Sequence, residues 1–323
     1  KARQFKPDSI SEFYSIIFPT MLYRHDRMKM GFERERRSKL TDYQMQRIFE
    51  TLSFISLKEA KTRFNTLDFK DYLNKAIAHE RIKQNLEDEL IEDITIITAL
   101  IVKDGYDNYS YIHKSIQEYF SAVFISRLAD DMKFSFYNHL ISNFSEYRKW
   151  QNVANFLSTI DVYNYSRYFL LPLRKKSIGL SDSGEVTLDY IAIKNLIGNE
   201  TKVKIDENGN LIEVFWGDTY SSSTFPQFIE FIRNEIINFL IAEKSSVADY
   251  LAFCELDKYE NYQFSDRIFI LNLIKYINDN NRNNEIVKSI TVKIKNSQIL
   301  SDIKDLEKEL RLTEKMDQEI TSF

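Results

Sequence analysis

The sequence predicts a mainly α-helical protein with two small β-containing places. Three observations predict it. Helix breakers are scarce, with 7 Gly and 4 Pro in 323 residues. Leu, Ile, Lys and Glu abound, and apolar residues recur at helical spacing along most of the chain. Five of the seven glycines fall between Gly179 and Gly217, so the main irregular or β-containing segment is expected at about 179–217. With 43% hydrophobic and 28% charged residues the chain is globular, and its length allows two or three domains with sizeable cores.

Taken in order, Ser9 and Glu12 form a capping box, and Ile10, Phe13, Ile17 and Met21 give a helical stripe to about Arg24, with a kink or a broken last turn at Pro19. Arg24–Lys39 carries seven Lys/Arg against three acids and reads as a solvated connector, with a nucleic-acid or partner patch as the alternative. Thr41 and Gln44 form a second capping box, opening a helix with Met45, Ile48, Phe49, Leu52 and Ile55 inward. Asp68 is placed to cap the next helix, whose stripe is Phe69, Tyr72, Leu73, Ala76 and Ile77. A short helix near Asp88–Glu92 follows. The apolar, β-branched run Ile94–Val102 reads as a strand, Asp104-Gly105 as a turn, and Asn108–Ile112 as the returning strand. Ser115 and Glu118 form a further capping box, so a helix should begin near Ile116 with Ile116, Phe120 and Val123 buried. Helix, helix, short helix, hairpin, helix is the order of a winged-helix domain with a small β-hairpin wing, placed at about 41–128.

His113 precedes the last of these helices, where free N–H groups and the positive end of the helix dipole favour anions. From position alone it reads as a hydrogen-bonded junction histidine, with a phosphate contact as the alternative. The surrounding residues add to this. Tyr111-Ile112-His113-Lys114-Ser115-Ile116-Gln117-Glu118-Tyr119-Phe120-Ser121-Ala122 resembles the F-x-H-x-S-x-Q-E-Y-x-A-A signature near the end of the winged-helix domain of NACHT-type STAND NTPases. That group includes animal NOD-like receptors and bacterial anti-phage NACHT proteins. Lys6-Pro7-Asp8-Ser9 through Tyr14, and on to Leu22-Tyr23-Arg24-His25-Asp26, likewise resembles the segment that ends the helical domain after the family's nucleotide-binding core. The resemblance covers residues 6–128. It implies that His113 contacts the β-phosphate of ADP and holds a closed, inactive arrangement; Gln117, Glu118 and Tyr119 then serve packing and orientation. It also implies three parts: 1–40 as the end of that helical domain, 41–128 as the winged helix, and 129–323 as a C-terminal helical and sensing domain.

Beyond Leu128, Phe134–Phe144 and Tyr147–Leu157 read as paired helices. Tyr163, Tyr165, Tyr168 and Phe169 suit core better than a base-stacking platform in an acidic chain. Lys202–Ile205 and Leu211–Trp216 flank Asn208-Gly209, a strong hairpin signal. Thr224 to Gln227 cap a helix with Phe228, Ile232, Ile236, Phe239 and Leu240 inward, and another helix is expected near Val247–Cys254. Ile268–Ile277 is apolar almost all round and reads as a central, buried helix; Asn278–Asn284 reads as a polar break. Ile299, Ile303, Leu306 and Leu310 mark the last helix as docked or partner-facing.

Several functions are disfavoured. There is no G-x-x-x-x-G-K-[ST], H-E-x-x-H, G-x-S-x-G or C-x-x-C, so no enzyme is expected in this stretch and no metal or catalytic residue is assigned. His25, His79 and His139 are isolated. A net charge of −4 and a mixed face on Asp68–Ile82 argue against nucleic acid. No run reaches the roughly 18–20 apolar residues that span a bilayer, and the single cysteine, Cys254, fits a reducing, cytoplasmic setting. The start, Lys1 to Phe5, reads as a cut within a longer protein. The resemblance implies ADP/ATP with Mg as cofactors held mainly by an upstream NTPase core. It also implies self-association on activation and an unidentified trigger, of which a phage protein is one candidate. A freestanding helical protein-binding scaffold is the alternative, and a winged-helix nucleic-acid binder a more distant one.

Overall fold

The computed structural model describes residues 9–27, 36–83, 85–189, 191, 194, 197–198, 200–206, 208–217, 226–242, 244–245, 247, 268–279 and 283–322. The protein is mainly helical with two small antiparallel sheets. It forms two compact units, Lys1–Tyr165 and Ser166–Phe323.

The first unit opens with α1 (Ile10–Arg27). Ser9 caps it, its Oγ accepting from the Glu12 N–H at 3.0 Å. Pro19 lies inside the helix without ending it. The buried face differs from the expected stripe. Phe18 and Leu22 are buried, with Tyr14, Ile17 and Met21 packed beside them, whereas Ile10 and Phe13 are exposed. Helix α2 (Asp42–Lys58) begins in the predicted Thr41–Gln44 capping box. Strand β1 (Arg63–Asn65) was not foreseen. Asn65, not Asp68, caps α3 (Thr66–His79), because its Oδ1 accepts from the Asp68 N–H at 2.8 Å. The buried stripe of α3 is Phe69, Tyr72, Leu73, Ala76 and Ile77, as predicted.

After α4 (Glu87–Glu92) the chain widens into a π-helical turn, Asp93–Thr98, where a strand was expected. The reason is the buried Asp93. Its carboxylate accepts from the Arg37 N–H (3.1 Å), the Ser38 N–H (3.0 Å) and the Ser38 hydroxyl (2.6 Å), which fixes Asp93 on a helix. Ala99 at φ 51° then releases the chain into β2 (Ile101–Lys103). β3 (Asn108–Tyr111) pairs with both neighbours, giving the order β1-β3-β2, with Phe64 opposite Tyr109 and Val102 opposite Ser110. Helix α5 (Lys114–Ser126) follows, then α6 (Asp130–Ser142), α7 (Phe144–Ile160) and the single turn α8 (Val162–Tyr165). The core is aromatic: Phe49 meets Phe18 at 5.3 Å and Phe120 edge-on at 4.9 Å, joining α1, α2 and α5.

The second unit starts with a π-helical turn, Ser166–Leu170, and α9 (Leu171–Ser177). The predicted hairpin is β4 (Lys202–Asp206) and β5 (Leu211–Phe215). Asp206 holds its turn by accepting from the Asn208 and Asn210 N–H groups at 2.9 and 2.8 Å. The third strand, β6 (Ile268–Asn272), corrects the helix expected over Ile268–Ile277. Only α11 (Leu273–Asp279) is helical there, following α10 (Pro226–Ala242) and β6. Val203 pairs with Val214 on one side and Leu271 on the other. A fully apolar run suits a strand as well as a buried helix, and the partner strand β4 decides between them. The helices α12 (Asn283–Lys295) and α13 (Gln298–Thr321) complete the unit. Its core joins Val203 and Ile205 to Ile232 and Ile236, Tyr276 and Ile277, Ile290 and Ile294, and Ile299 and Ile303. The last helix is therefore docked. The caps Thr224 and Phe225, the Phe228 side chain and all but Val247 of the helix expected near Val247–Cys254 lie outside the described residues.

Candidate functional site

β3 ends at Tyr111, whose buried hydroxyl lies 3.1 Å from Ser56 Oγ and 3.3 Å from Ser53 Oγ of α2. Burial pushes its phenol up to about 12. The Ile112 N–H donates to the Leu100 carbonyl at 3.1 Å. The strand end is thus anchored on both sides, and the next residue, His113, turns the chain into α5.

His113 is itself the N-cap of α5, with extended backbone (φ −153°, ψ 138°). Its Nδ1 accepts from the Ser115 N–H at 3.2 Å, and its carbonyl accepts from the Ile116 N–H at 3.1 Å. The Ser115–Glu118 capping box expected from the sequence does not form. The helix starts two residues earlier, at Lys114, because the imidazole takes the capping role itself. This also alters the electrostatics expected here: the cap consumes an N–H that would otherwise favour an anion. What remains is the outer edge of the ring. A backbone N–H can only donate, so Nδ1 is the acceptor and the neutral ring carries its proton on Nε2. His113 is exposed, and among the described residues Nε2 has no hydrogen-bond partner.

The residues after His113 face inward. Gln117 is fully buried and donates to Ser56 Oγ and the Lys61 carbonyl, both at 2.8 Å. Buried Glu118 pairs with Lys114 at 3.2 Å and accepts from the Asn152 amide at 3.2 and 3.1 Å. Tyr119 stacks on Tyr14 of α1 at 5.3 Å. The Tyr14 hydroxyl makes a short hydrogen bond with Ser115 Oγ, which in turn makes a short one with His113 Nδ1. Tyr14 and Ser115 lie 101 residues apart, so no sequence spacing joins them; the only signal was that each belongs to one of the two family-like segments.

At the C-terminal end of α5, Arg127 donates to Glu50 at 2.8 Å, to Glu80 at 2.6 Å and to Thr51 Oγ1 at 3.0 Å. Glu80 also pairs with Arg47 at 3.1 Å. Burial pushes the Glu50 carboxyl above its usual range, and Arg127 only partly offsets it. Glu80 is less buried; burial pushes it up too, but the hydrogen bonds from Thr51, Arg127 and Arg47 together with the Arg127 charge outweigh that and hold it below the usual range. This cluster clamps α2, α3 and α5 together.

The other histidines lie elsewhere. His79 packs on Phe124 at 5.3 Å, and His139 is 4.0 Å from Glu146. His25 lies within α1, and its side chain is outside the described residues.

Residues 160–323 match SNaCT11, the Short NACHT-associated C-Terminal domain, family 11. No curated protein and no solved structure matches the chain. Among the described residues no helix is long and apolar enough to cross a membrane. The match covers 164 of 323 residues, and it falls on the part of the chain that carries neither of the two segments on which the resemblance rests. It agrees with the resemblance drawn from residues 6–128: this is a NACHT-type C-terminal portion. The chain belongs to the SNaCT11 family of short NACHT-associated C-terminal domains.

Proposed function

We propose that this chain is the regulatory and sensing portion of a NACHT-type STAND NTPase acting in anti-phage defence in the bacterial cytoplasm. Residues 41–128 form its winged helix, with β2 and β3 as the wing; the order of α2, β1, α3, α4, β2, β3 and α5 supports this reading. ADP or ATP with Mg is held mainly by the upstream core, and this chain adds one phosphate contact through His113. The observation that carries the proposal is the His113 cap, which leaves an exposed Nε2–H as donor beside a helix N-terminus. The ring thus suits a single phosphate oxygen. Residues 129–323 sense the trigger or hold the closed form, and release of His113 frees the protein to self-associate.

The test is ADP release from the intact protein. A hydrogen bond to a charged group contributes about 1.5–3 kcal/mol, so losing it should shift the closed/open balance roughly 10- to 150-fold. His113→Ser should speed ADP release on that scale and let the protein oligomerise without its trigger. Equal release rates for folded wild type and variant would refute the proposal.

A further inference from the structure

We infer that Tyr14 and Ser115 are positioning residues that reinforce the cap in holding the His113 ring with its proton on Nε2, and that this reinforcement exists only while α1 is docked on α5. The use made of that proton rests on the function proposed above; the hold itself does not.

Three groups stand in a row: the Tyr14 hydroxyl, Ser115 Oγ and His113 Nδ1. Hydroxyls can donate in either direction, so the row alone has no sense. The Ser115 backbone N–H supplies one. It donates to Nδ1 at 3.2 Å, so Nδ1 carries no proton and the Ser115 hydroxyl must donate to it as well. The Ser115 oxygen is then left to accept, and the Tyr14 hydroxyl donates to it. All the protons run one way, toward Nδ1, and such chains reinforce one another. The outward nitrogen is therefore a donor.

Tyr14 is held rigidly enough to enforce this. Its ring stacks on Tyr119 (5.3 Å, 24°) and meets Phe156 edge-on (5.5 Å, 83°). A second contact, Ser11 Oγ to Thr159 Oγ1 at 2.6 Å, ties the same helix to α7. If α1 left this place, the Ser115 hydroxyl would be free to turn and accept from an Nδ1–H. The cap N–H alone would then oppose an Nδ1–H, and the fraction of rings with Nε2 as an acceptor, which repels phosphate, would rise. The position of α1 would thus be read at His113 through a change of proton placement.

Histidine-selective ¹⁵N labelling of the whole chain reads this directly, because two-bond ¹H–¹⁵N couplings separate the tautomers; His113→Gln assigns the signal. Wild type should show protonated Nε2 and bare Nδ1. Tyr14→Phe keeps the ring and removes only the hydroxyl, and it should raise the Nδ1–H fraction roughly two- to tenfold, the weight of one hydrogen bond. Ser115→Thr should retain the wild-type pattern. In a Ser115→Ala background Tyr14→Phe should change nothing, since the relay passes through that hydroxyl; a purely structural effect of Tyr14 would persist there. A dominant Nδ1–H tautomer in wild type, or an unchanged Tyr14→Phe spectrum, overturns the inference. If the tautomer responds as expected while His113→Ser leaves ADP release unchanged, the relay stands and the phosphate role falls. The converse pair of results removes the relay alone.

Discussion

His113 carries two separable jobs. Its Nδ1 caps α5, and in the function proposed above its Nε2 is the donor to phosphate. Serine caps a helix as well as any residue but is too short to reach outward, so His113→Ser should keep stability within a few tenths of a kcal/mol of wild type. His113→Ala should lose about 1 kcal/mol. Urea unfolding of both variants, beside their ADP release rates, separates the jobs: the two should differ in stability and agree in release. A second single-residue effect lies in the other unit. Gly198 has φ +85°, and a Cβ there would meet the Gly217 backbone carbon at 2.6 Å. Both the left-handed backbone and the close approach require glycine. Gly198→Ala should therefore destabilise the second unit by at least about 1–3 kcal/mol, seen as earlier loss of the β4–β5–β6 amides in hydrogen exchange.

Among the elements, α5 is the one that others hold. Gln117 and Glu118 tie it to α2 and α7, and Arg127 ties it to two carboxylates on α2 and α3. These carboxylates respond to pH in opposite senses. Glu50 is raised above its ordinary value of 4.5, chiefly by burial, so its contribution to stability is fully present below 4.5 and is lost as pH rises through its folded value. Glu80 is lowered, so its contribution is present above 4.5 and is lost as pH falls through its folded value. Glu50→Gln removes the first response and leaves the second. Urea unfolding from pH 4 to 7 should show stability that declines less from about 4.5 upward in Glu50→Gln than in wild type. The acid-side loss should be unchanged. Much of this element level was legible beforehand. The Thr41–Gln44 box and the α3 stripe are local patterns, and the structure retains them. The Arg127 cluster was not, because its members come from three helices and share no spacing.

For the molecule as a whole, the single phosphate contact proposed for His113 would set a bound on what the chain does alone. Micromolar affinity corresponds to about 8 kcal/mol, and a single charged hydrogen bond supplies about 1.5–3. Calorimetry on residues 1–323 should therefore show no micromolar ADP binding. Nor should the chain bind duplex DNA with sequence preference. On α3, Lys75 pairs with Asp71 at 2.6 Å, and Lys70 pairs with Asp88 at 2.7 Å, so this helix offers little free positive charge to phosphates. A gel shift at physiological salt should give no sequence-dependent complex. The division into two units after Tyr165 nearly coincides with the start of the family match at residue 160. The motifs that suggested the family and the match that places it thus fall on different units.

The sequence by itself determined the helical class, the Asn208-Gly209 hairpin and the buried face of α3, and it singled out His113. Each of these is written in a short window by turn chemistry, capping or apolar period. Where the tertiary structure overturned a local reading, a distant partner did so. Ile268–Ile277 divides into strand and helix because β4 offers a partner. Asp93 stays on a helix because residues 37 and 38 bring it donors from 55 or 56 positions away. His113, not Ser115, caps α5, and Tyr14 of α1 supports the serine from the side. Hydrogen-bond partners that distant leave no trace in local spacing, and a buried or aligned polar group accepts whichever partner the fold delivers.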